Sequence, residues 1–474
     1  MPQQFRQVSG GNCRLVLFRE SSAGTLTAGD NGVIIDFYSE SLAENQSKTA
    51  STVISAKRGQ GKPLAGAPEY TGTIECAPYA PLIGHILRSL CGAPTSTVEA
   101  ALSLAAAAVT NEGEGCVGLP ASSNTFVQDA CVTITGTTNY NGVYRLEYGT
   151  SPTKLVIRAK YTAETLTANA TATRGRGAFL SGAVIDKNSG AVGLPVAGMG
   201  VSLHAGESVT ISGTTNYDGE HVLKEGTQAN LLVIAATYTA ETLDGTAIAL
   251  PKFFRHYFIL PKHQPSVAIE KYLDFEADAA KTPYTLFGFC KLNGLSFSFG
   301  GNESEIKLSL DCSVGRAAGS ATAQSASPAR LPAIPFYNKE VSLWLGDKRL
   351  SDIESGSVEL SYGIEGKVAV GDMGKRSRQT EGDAASTVTL TAFLEHDDYH
   401  QLAEAATTQS ASISLCGANG EEFWIILPES EVDASSPSIQ GKEGVTAEIK
   451  LLGFVEQSTS INEFTLINRV ESYA

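Results

Sequence analysis

The feature that most constrains the fold of this chain is a segment that occurs twice, in tandem, near its middle. Residues 131–144 read CVTITGTTNYNGVY and residues 208–221 read SVTISGTTNYDGEH, while VIRAKYTAETL (156–166) and VIAATYTAETL (233–243) repeat with the same offset of 77 residues. The offset falls to 75 for VGLP at 117–120 and 192–195, which indicates a two-residue insertion or deletion. Two tandem modules are therefore predicted over 109–175 and 176–250.

Each module has the residue pattern of a small β structure. Apolar and polar residues alternate in short runs, and Asn141-Gly142 and Asp218-Gly219 occupy the places where type I′ hairpin turns are expected. This pattern predicts one β-sandwich or β-barrel of about 70 residues per module. The glycine-rich stretch 173–177 is predicted to be the linker between the modules.

A second, weaker duplication surrounds the modules. The first half contains strand-like VIIDFYS (33–39), a long polar loop (40–69), strand-like YTGTIECA (70–77) and a helical stretch (81–90). The second half has the same order in SVELSYG (357–363), a loop (364–386), TVTLTAFL (387–394) and a helical stretch (397–406). We predict one flanking domain from 1–108 and 251–316, interrupted by the modules, and a second over 336–474. The Ala/Ser/Pro-rich segment 317–335 is the predicted linker.

Composition excludes several classes of function. A net charge of −15 does not suit a protein that grips nucleic acid phosphates. The eight cysteines form no CxxC pair, and we find no catalytic or metal-binding motif, so we predict no catalytic residue, no metal and no cofactor. No run of 18 apolar residues is present and residues 1–12 lack a hydrophobic signal core, so we expect neither membrane insertion nor export.

Three stretches outside the modules carry a resemblance to a known family: GKPLAGAPEYTGTIECAPYAPLIGHILRSLCGAP (61–94), FFRHYFILPKHQPSVAIEKYLDFEA (253–277) and NGLSFSFGGNESEIKLSLDCSVG (293–315). They resemble the tail tube (major tail) proteins of long-tailed, non-contractile, double-stranded DNA bacteriophages. The resemblance covers roughly 1–100 and 251–474. It implies a mainly β fold with duplicated β-sandwich domains, each flanked by a helix. It also implies that the inserted modules are decorations, which in this family often have an immunoglobulin-like fold.

The resemblance further implies a structural function. Tail tube proteins form stacked rings of six sandwiches, and their inner sheets join into one barrel around a lumen through which DNA is ejected into the host. The implied partners are the tape-measure protein and the tail terminator and tip proteins. DNA is expected to pass through the lumen without specific binding. The implied location is the virion tail, after assembly in the host cytoplasm.

The duplication adds an expectation about stoichiometry. A chain with two sandwiches can close a six-sandwich ring with three copies, and closure removes every exposed sheet edge. We therefore favour a homotrimeric, pseudo-sixfold ring, with a hexamer as the alternative.

Charged residues supply two sets of candidate site residues. Basic residues in the middle of the two long loops are candidates for contacts between stacked rings, where they would meet the acidic stretch 421–474; the alternative is that the loops are simply solvated. Acids within strand-like runs are candidates for the lumen lining, and the alternative is that they face solvent or neighbouring subunits. The stacking set is Lys48, Lys57, Arg58, Lys62, Lys367, Lys375, Arg376 and Arg378, and the lumen set is Asp36, Glu75, Glu270, Asp274 and Glu359.

Two rival functions remain open at this stage. One is a surface-binding, adhesin-like protein whose modules recognise host glycans through Tyr140 and Tyr217, each in a Thr-Thr-Asn-Tyr turn. In the alternative interpretation these tyrosines pack inside their own modules. The other rival is a bacterial shell protein, which the absence of an export signal disfavours.

Overall fold

The structure, a computed structural model, consists mostly of antiparallel strands. It describes residues 10–51, 61–197, 203–274, 282–300, 305–332, 335–369, 376–394, 398–434 and 445–473. In these ranges the chain has two α-helices and short 3₁₀ turns at Gly10–Asn12 and Asn338–Glu340.

The first part of the chain supplies seven strands and the longer helix. The elements are β1 (Arg14–Ser22), β2 (Thr25–Leu26), β3 (Val33–Ile35), β4 (Phe37–Glu40), β5 (Ala43–Ser51), β6 (Gly61–Cys76), α1 (Ala80–Cys91) and β7 (Thr95–Val98). Helix α1 confirms the prediction for 81–90. Pro81 lies in the first turn, where its missing N–H costs nothing, and Gly92 follows the last turn with a φ of 85°.

The inserted segment forms two seven-stranded sandwiches with separate cores. The first module contains β8 (Leu102–Ser103), β9 (Thr110–Gly113), β10 (Cys116–Pro120), β11 (Cys131–Thr135), β12 (Gly142–Arg145), β13 (Lys154–Arg158) and β14 (Thr171–Arg174). The second contains β15 (Ala178–Ala183), β16 (Ile185–Asp186), β17 (Ala191–Pro195), β18 (Ser208–Ser212), β19 (Gly219–Val222), β20 (Leu231–Ala235) and β21 (Thr242–Pro251).

The two modules share one strand order. In each, the first, fourth, fifth and seventh strands form one sheet and the other three form the second sheet. An immunoglobulin constant domain instead places its first, second, fourth and fifth strands together. The modules therefore have the seven strands of an immunoglobulin constant domain and a different strand order.

The rest of the chain completes the flanking architecture. Four strands follow the modules: β22 (Phe254–Ile259), β23 (Val267–Tyr272), β24 (Tyr284–Gly300) and β25 (Leu308–Ser320). The second half contains β26 (Val341–Leu345), β27 (Lys348–Leu350), β28 (Ile353–Ser361), β29 (Ile364–Val368), β30 (Arg376–Glu381), β31 (Ala385–Phe393), α2 (Asp398–Glu404), β32 (Gln409–Cys416), β33 (Glu422–Ala434), β34 (Thr446–Gly453) and β35 (Glu463–Asn468).

Strands from both halves form one continuous layer, which we call the shared sheet. Its order is β4 with β5, then β6, β25, β24, β28, β31, β34 and β33. A second layer, which includes β1 with β23 and the series β26, β32, β33, β35, β22 and β7, lies across the core. The buried apolar side chains between the layers form one cluster that extends from Leu15 to Tyr473.

The two halves repeat in register as well as in order. The pairing of β4 and β5 with β6 recurs in the pairing of β28 with β31 at a constant offset of 316 residues. Both copies contain the same irregularity, because the register shifts between Phe37 and Ser39 and again between Ile353 and Ser355. A shared bulge is a detail that strand alternation alone does not require. The predicted fold class, duplicated sandwiches flanked by helices with two inserted β modules, is confirmed.

Two segments that the sequence predicts as loops are partly β-hairpins. The first hairpin pairs β5 with β6, and the second hairpin pairs β29 with β30. Their side chains are mostly polar and exposed, so the apolar alternation that marks a strand is missing. Backbone pairing holds these segments together beyond the core. Part of the predicted linker 317–335 is also ordered, since β25 extends to Ser320 and the N–H of Ala329 donates to the carbonyl of Gly32.

Candidate assembly surface

One face of the shared sheet lies on the core, and the opposite face, which we call the open face, is polar. One row of cross-strand neighbours passes over all eight strand positions of this face. The row is Ser39, Glu75, Ser309, Ser296, Glu359, Thr387, Leu452 and Glu431. With one apolar member in eight, the row suits contact with water rather than with another apolar layer.

Acidic side chains outnumber basic ones on the open face. Lys291 is covered and its ammonium group contacts Glu381, while Lys450 lies 3.2 Å from Glu448. Excess negative charge along a surface repels phosphate. The acids on this face include Glu75, Asp311, Glu359, Glu431, Asp433 and Glu448.

Two of the five acids predicted for a lumen lining lie on the open face. Glu75 accepts a hydrogen bond from the hydroxyl of Ser39 at 2.8 Å, and Glu359 is exposed on β28. They are separated by two strands, which carry Ser309 and Ser296 at the same level. The structure therefore brings these two acids onto one surface.

The other three acids are elsewhere, and Glu270 is a correction. It is only 1% exposed, and it accepts the N–H of Gln324 at 2.7 Å because the segment after β25 covers it. Burial raises the pKa of Glu270. Asp36 lies between β3 and β4, where it accepts from the hydroxyl of Tyr79, and Asp274 follows the end of β23.

The basic candidates are distributed over the two hairpins. Lys48 and Lys62 are exposed on the first hairpin, and Lys367 and Arg378 are exposed on the second. Lys367 contacts Glu365 of its own strand. Arg376 begins β30. Three further candidates, Lys57, Arg58 and Lys375, lie outside the described residues.

Part of the acidic stretch that these lysines and arginines are expected to meet is engaged within the chain. Glu422 contacts Arg174, and Glu421 contacts Arg469 at 2.5 Å. Glu429 accepts backbone N–H groups of residues 456–458, which lower its pKa to about 2. Five other acids of the stretch are exposed, namely Glu431, Asp433, Glu448, Glu456 and Glu471.

Strand pairing joins the two halves of the shared sheet, at a place that we call the internal joint. Residues 294–300 of β24 pair antiparallel with residues 355–361 of β28. The N–H of Tyr362 donates to the carbonyl of Asn293 at 2.8 Å and extends the ladder. In the order of the shared sheet, the internal joint therefore pairs β24, the last strand position of the first half, with β28, the first strand position of the second half.

The strands of the internal joint, β24 and β28, each have a counterpart at an end of the shared sheet. Each counterpart is paired on one side. Residues 37–45, the leading edge, correspond to β28 and pair with β6 on one side. Asp433 and Ala434 form the trailing edge, and they correspond to Gly294 and Leu295. The first two residues pair with β34 as the second two pair with β25, and β34 and β25 have equivalent registers against β31 and β6. Among the described residues, neither edge has a second strand partner.

The second hairpin covers the internal joint on the open face. The amide of Gln379 donates to the carbonyls of Phe289 and Ser313, at 2.6 and 3.2 Å. Lys291 and Ser313 are consequently 7% and 5% exposed. Their counterparts in the second half, Glu431 and Leu452, are both exposed, and Leu452 is 40% exposed. The trailing edge thus lacks the covering hairpin that the internal joint has.

The tyrosines of the two repeated turns are interior residues. Tyr140 and Tyr217 are 0% and 1% exposed. Their hydroxyls donate to the carbonyls of Thr162 and Thr239 at 2.6 Å in both cases. They cannot serve as glycan contacts in this conformation, so the structure contradicts their role in the adhesin alternative.

Buried ion pairs, which the sequence did not reveal, fix the modules to the second layer. Arg174 ends β14 with its side chain 2% exposed, and it contacts Glu99 at 3.0 Å and also Glu422 of β33. Although burial opposes its charge, Glu422 and Glu99 together raise the pKa of Arg174. Next to this site, Arg469 contacts Glu207 of the second module at 2.8 Å. Arg174 falls in the stretch that was predicted as a linker, where its local sequence gives no sign of burial.

Replacing Arg174 with methionine should destabilise this attachment by about 3–5 kcal/mol, because Glu422 would remain buried without its cation. The measurement is urea denaturation followed by tryptophan fluorescence. The indole N–H of Trp424 donates to Glu422 at 3.0 Å, so this fluorophore reports on the site. As the matched control, Arg158→Met removes an exposed arginine of the same module and should have a much smaller effect. Equal decreases in the free energy of unfolding of the two variants would contradict the role of Arg174 in attaching the module.

Comparison with known protein families identifies a match. A family model described as phage tail tube protein matches residues 10–452. No curated protein matches the chain. In the described ranges, no group of three or more His, Cys, Asp or Glu side chains is placed to hold a metal ion. Neither described helix is long and apolar enough to cross a membrane.

Proposed function

Because the chain belongs to the phage tail tube protein family, whose members are structural components of the virion tail, we propose that three copies close head to tail into a ring. The trailing edge of each copy pairs with the leading edge of the next. The open faces of the shared sheets then surround a central bore, which serves as the conduit for DNA ejection.

The internal joint is the observation that carries this proposal. Each half of the chain has a leading and a trailing strand, and the chain already pairs one of each within itself. The remaining two strands, at the leading and trailing edges, are their counterparts. An unpaired strand edge is a template for another strand. Repeating the internal joint between copies satisfies both edges with a contact that this sequence already makes.

The same joint favours three copies over six. Each chain fills two neighbouring sandwich positions, so six copies would form a ring of twelve sandwiches. Three copies contribute 24 strand positions, three times the eight in one chain. Barrels of roughly 16–18 strands already leave an aqueous channel, so a ring of this size has room for a bore.

The modules and hairpins occupy different sides of such a ring. Strands β7 and β22, from which the modules emerge, belong to the second layer, so the modules face the outside. We assign the stacking of rings to the distal parts of the two hairpins. Exposed Lys62 and Arg378, together with Leu64, which is 67% exposed, are available there for contacts with the next ring.

The test is to count the chains in one ring. Native mass spectrometry of rings released from tubes of the purified chain should give about 149 kDa, three times 49.7 kDa. Electron microscopy of the same sample should show six sandwiches around a bore. A ring of six chains would contradict the stoichiometry, and subunits without a bore would contradict the function itself.

A further inference from the structure

The leading edge is closed in the free chain by two side chains of the chain itself. The carboxylate of Glu40 accepts the N–H of Leu42 at 3.0 Å, and the ammonium group of Lys271 lies 3.4 Å from the carbonyl of Leu42. Glu40 and Lys271 also contact each other at 2.6 Å. Both backbone groups of one residue are therefore held by one ion pair.

These backbone groups are the ones that an incoming strand requires. The N–H of Ser41 donates to the carbonyl of Thr73 on β6, so the groups of Ser41 face inward. Successive residues of a strand direct their backbone groups to opposite sides, and those of Leu42 consequently face outward. Val358, the counterpart of Leu42, pairs with Phe297 across the internal joint. A backbone N–H held by Glu40 cannot at the same time donate fully to another strand.

The ion pair is present at the leading edge and absent from the equivalent position of the internal joint. The counterpart of Glu40 in the second half is Gly356, at the offset of 316. The counterpart of Lys271 is Ile413, because β23 and β32 share a bulge and an offset of 142. The internal joint thus contains neither charge, although its backbone is otherwise equivalent. This contrast argues against a general role of the pair in the sandwich fold.

We propose that Glu40 and Lys271 form a latch that closes the leading edge and must open before the trailing strand of a second copy can add. The latch rests on the proposed ring closure and adds its control. The side chains are 15% and 19% exposed, so the pair is partly shielded from water and ions, yet it lies at the surface, where it can be displaced. Such a contact delays pairing between free chains without preventing it in a growing tube.

The experiment is the double variant Glu40→Ala with Lys271→Ile, which copies the apolar chemistry of the internal joint. Light scattering should show a lag before polymerisation about tenfold shorter than in the parent chain, the equivalent of one to two hydrogen bonds. In the free chain, hydrogen exchange at the Leu42 amide should become faster. The matched control is Glu112→Ala with Lys154→Ile, which removes a 2.6 Å ion pair from the first module and should leave the lag unchanged.

The outcomes separate the latch from the ring. An unchanged or longer lag, with normal three-chain rings, would overturn the latch and leave the ring closure intact. Absence of rings in parent and variant alike would overturn both. A shorter lag in the control as well would show a general effect of charge and would also overturn the latch.

Discussion

Substituting proline for Ala434 is expected to leave a folded chain that no longer closes into rings. Ala434 is the counterpart of Leu295, two residues from Asn293, whose carbonyl accepts from Tyr362 across the internal joint. Because alternate residues of a strand face the same neighbour, the N–H of Ala434 points out of the trailing edge. Proline lacks this donor, and a free edge tolerates proline.

The effect should be large, because each ring contains the defect at every joint between copies. A lost donor leaves a buried carbonyl unpaired at a cost of about 2 kcal/mol, a roughly thirtyfold weaker joint. Sedimentation velocity should find monomers at concentrations where the parent forms rings. Ala434→Ser, which keeps the N–H, should assemble normally. The thermal unfolding of both variants should remain close to that of the parent. Normal rings from the proline variant would exclude this edge as the joint.

The architecture could be predicted from the sequence where local pattern and local geometry coincide. The two modules can be aligned directly, because residues 131–144 and 208–221 are identical at 9 of 14 positions. Asn141-Gly142 indicates a turn by its backbone requirement alone. Helix α1 combines Pro81 near its start, Gly92 after its end and one apolar stripe, so its limits were predicted closely. The duplication of the flanking domains was recognisable because the same order of elements recurs.

The burial and ion pairing of several side chains could not be predicted from the sequence, because their partners are far away along the chain. Glu270 looks like any acid in a strand, and only the later segment that contains Gln324 buries it. Arg174 and Glu422 are 248 residues apart, and the surroundings of Arg174 in sequence resemble a flexible linker. The ion pair of Glu40 and Lys271 spans the inserted modules in the same way. These side chains acquire their roles from packing, which periodicity does not encode.

The charges beside the internal joint are reversed beside the proposed joint between copies. This reversal explains why the trailing edge of one copy would pair with the leading edge of the next and not with a strand of the internal joint. At the internal joint Lys291 contacts Glu381. At the trailing edge, the counterpart of Lys291 is Glu431. On the first hairpin, beside the leading edge, the counterpart of Glu381 is Ala65, which pairs with Lys48. Correct closure brings Glu431 towards Lys48. The two incorrect pairings would oppose Lys291 to Lys48 or Glu431 to Glu381, and like charges in contact suppress wrong partners.

Glu431→Lys is therefore expected to impair ring closure, and Lys48→Glu in the same chain is expected to restore it. Exposed ion pairs contribute only about 0–1 kcal/mol each, but exchange of attraction for repulsion doubles the difference, and closure repeats it at three joints. We expect about a tenfold higher concentration for half-maximal assembly in each single variant, measured by sedimentation. Recovery in the double variant to within about threefold of the parent would identify the pair.

The matched control for this exchange is Glu359→Lys, which makes the same change of charge on the same open face. Glu359 lies opposite Ser296 and Thr387, away from the unpaired edges, so its replacement should leave assembly unchanged. If Glu359→Lys impairs assembly as strongly as Glu431→Lys, the total charge of the open face rather than the joint controls closure. If the double variant stays as defective as either single variant, Lys48 and Glu431 do not meet, and the register inferred from the internal joint is wrong.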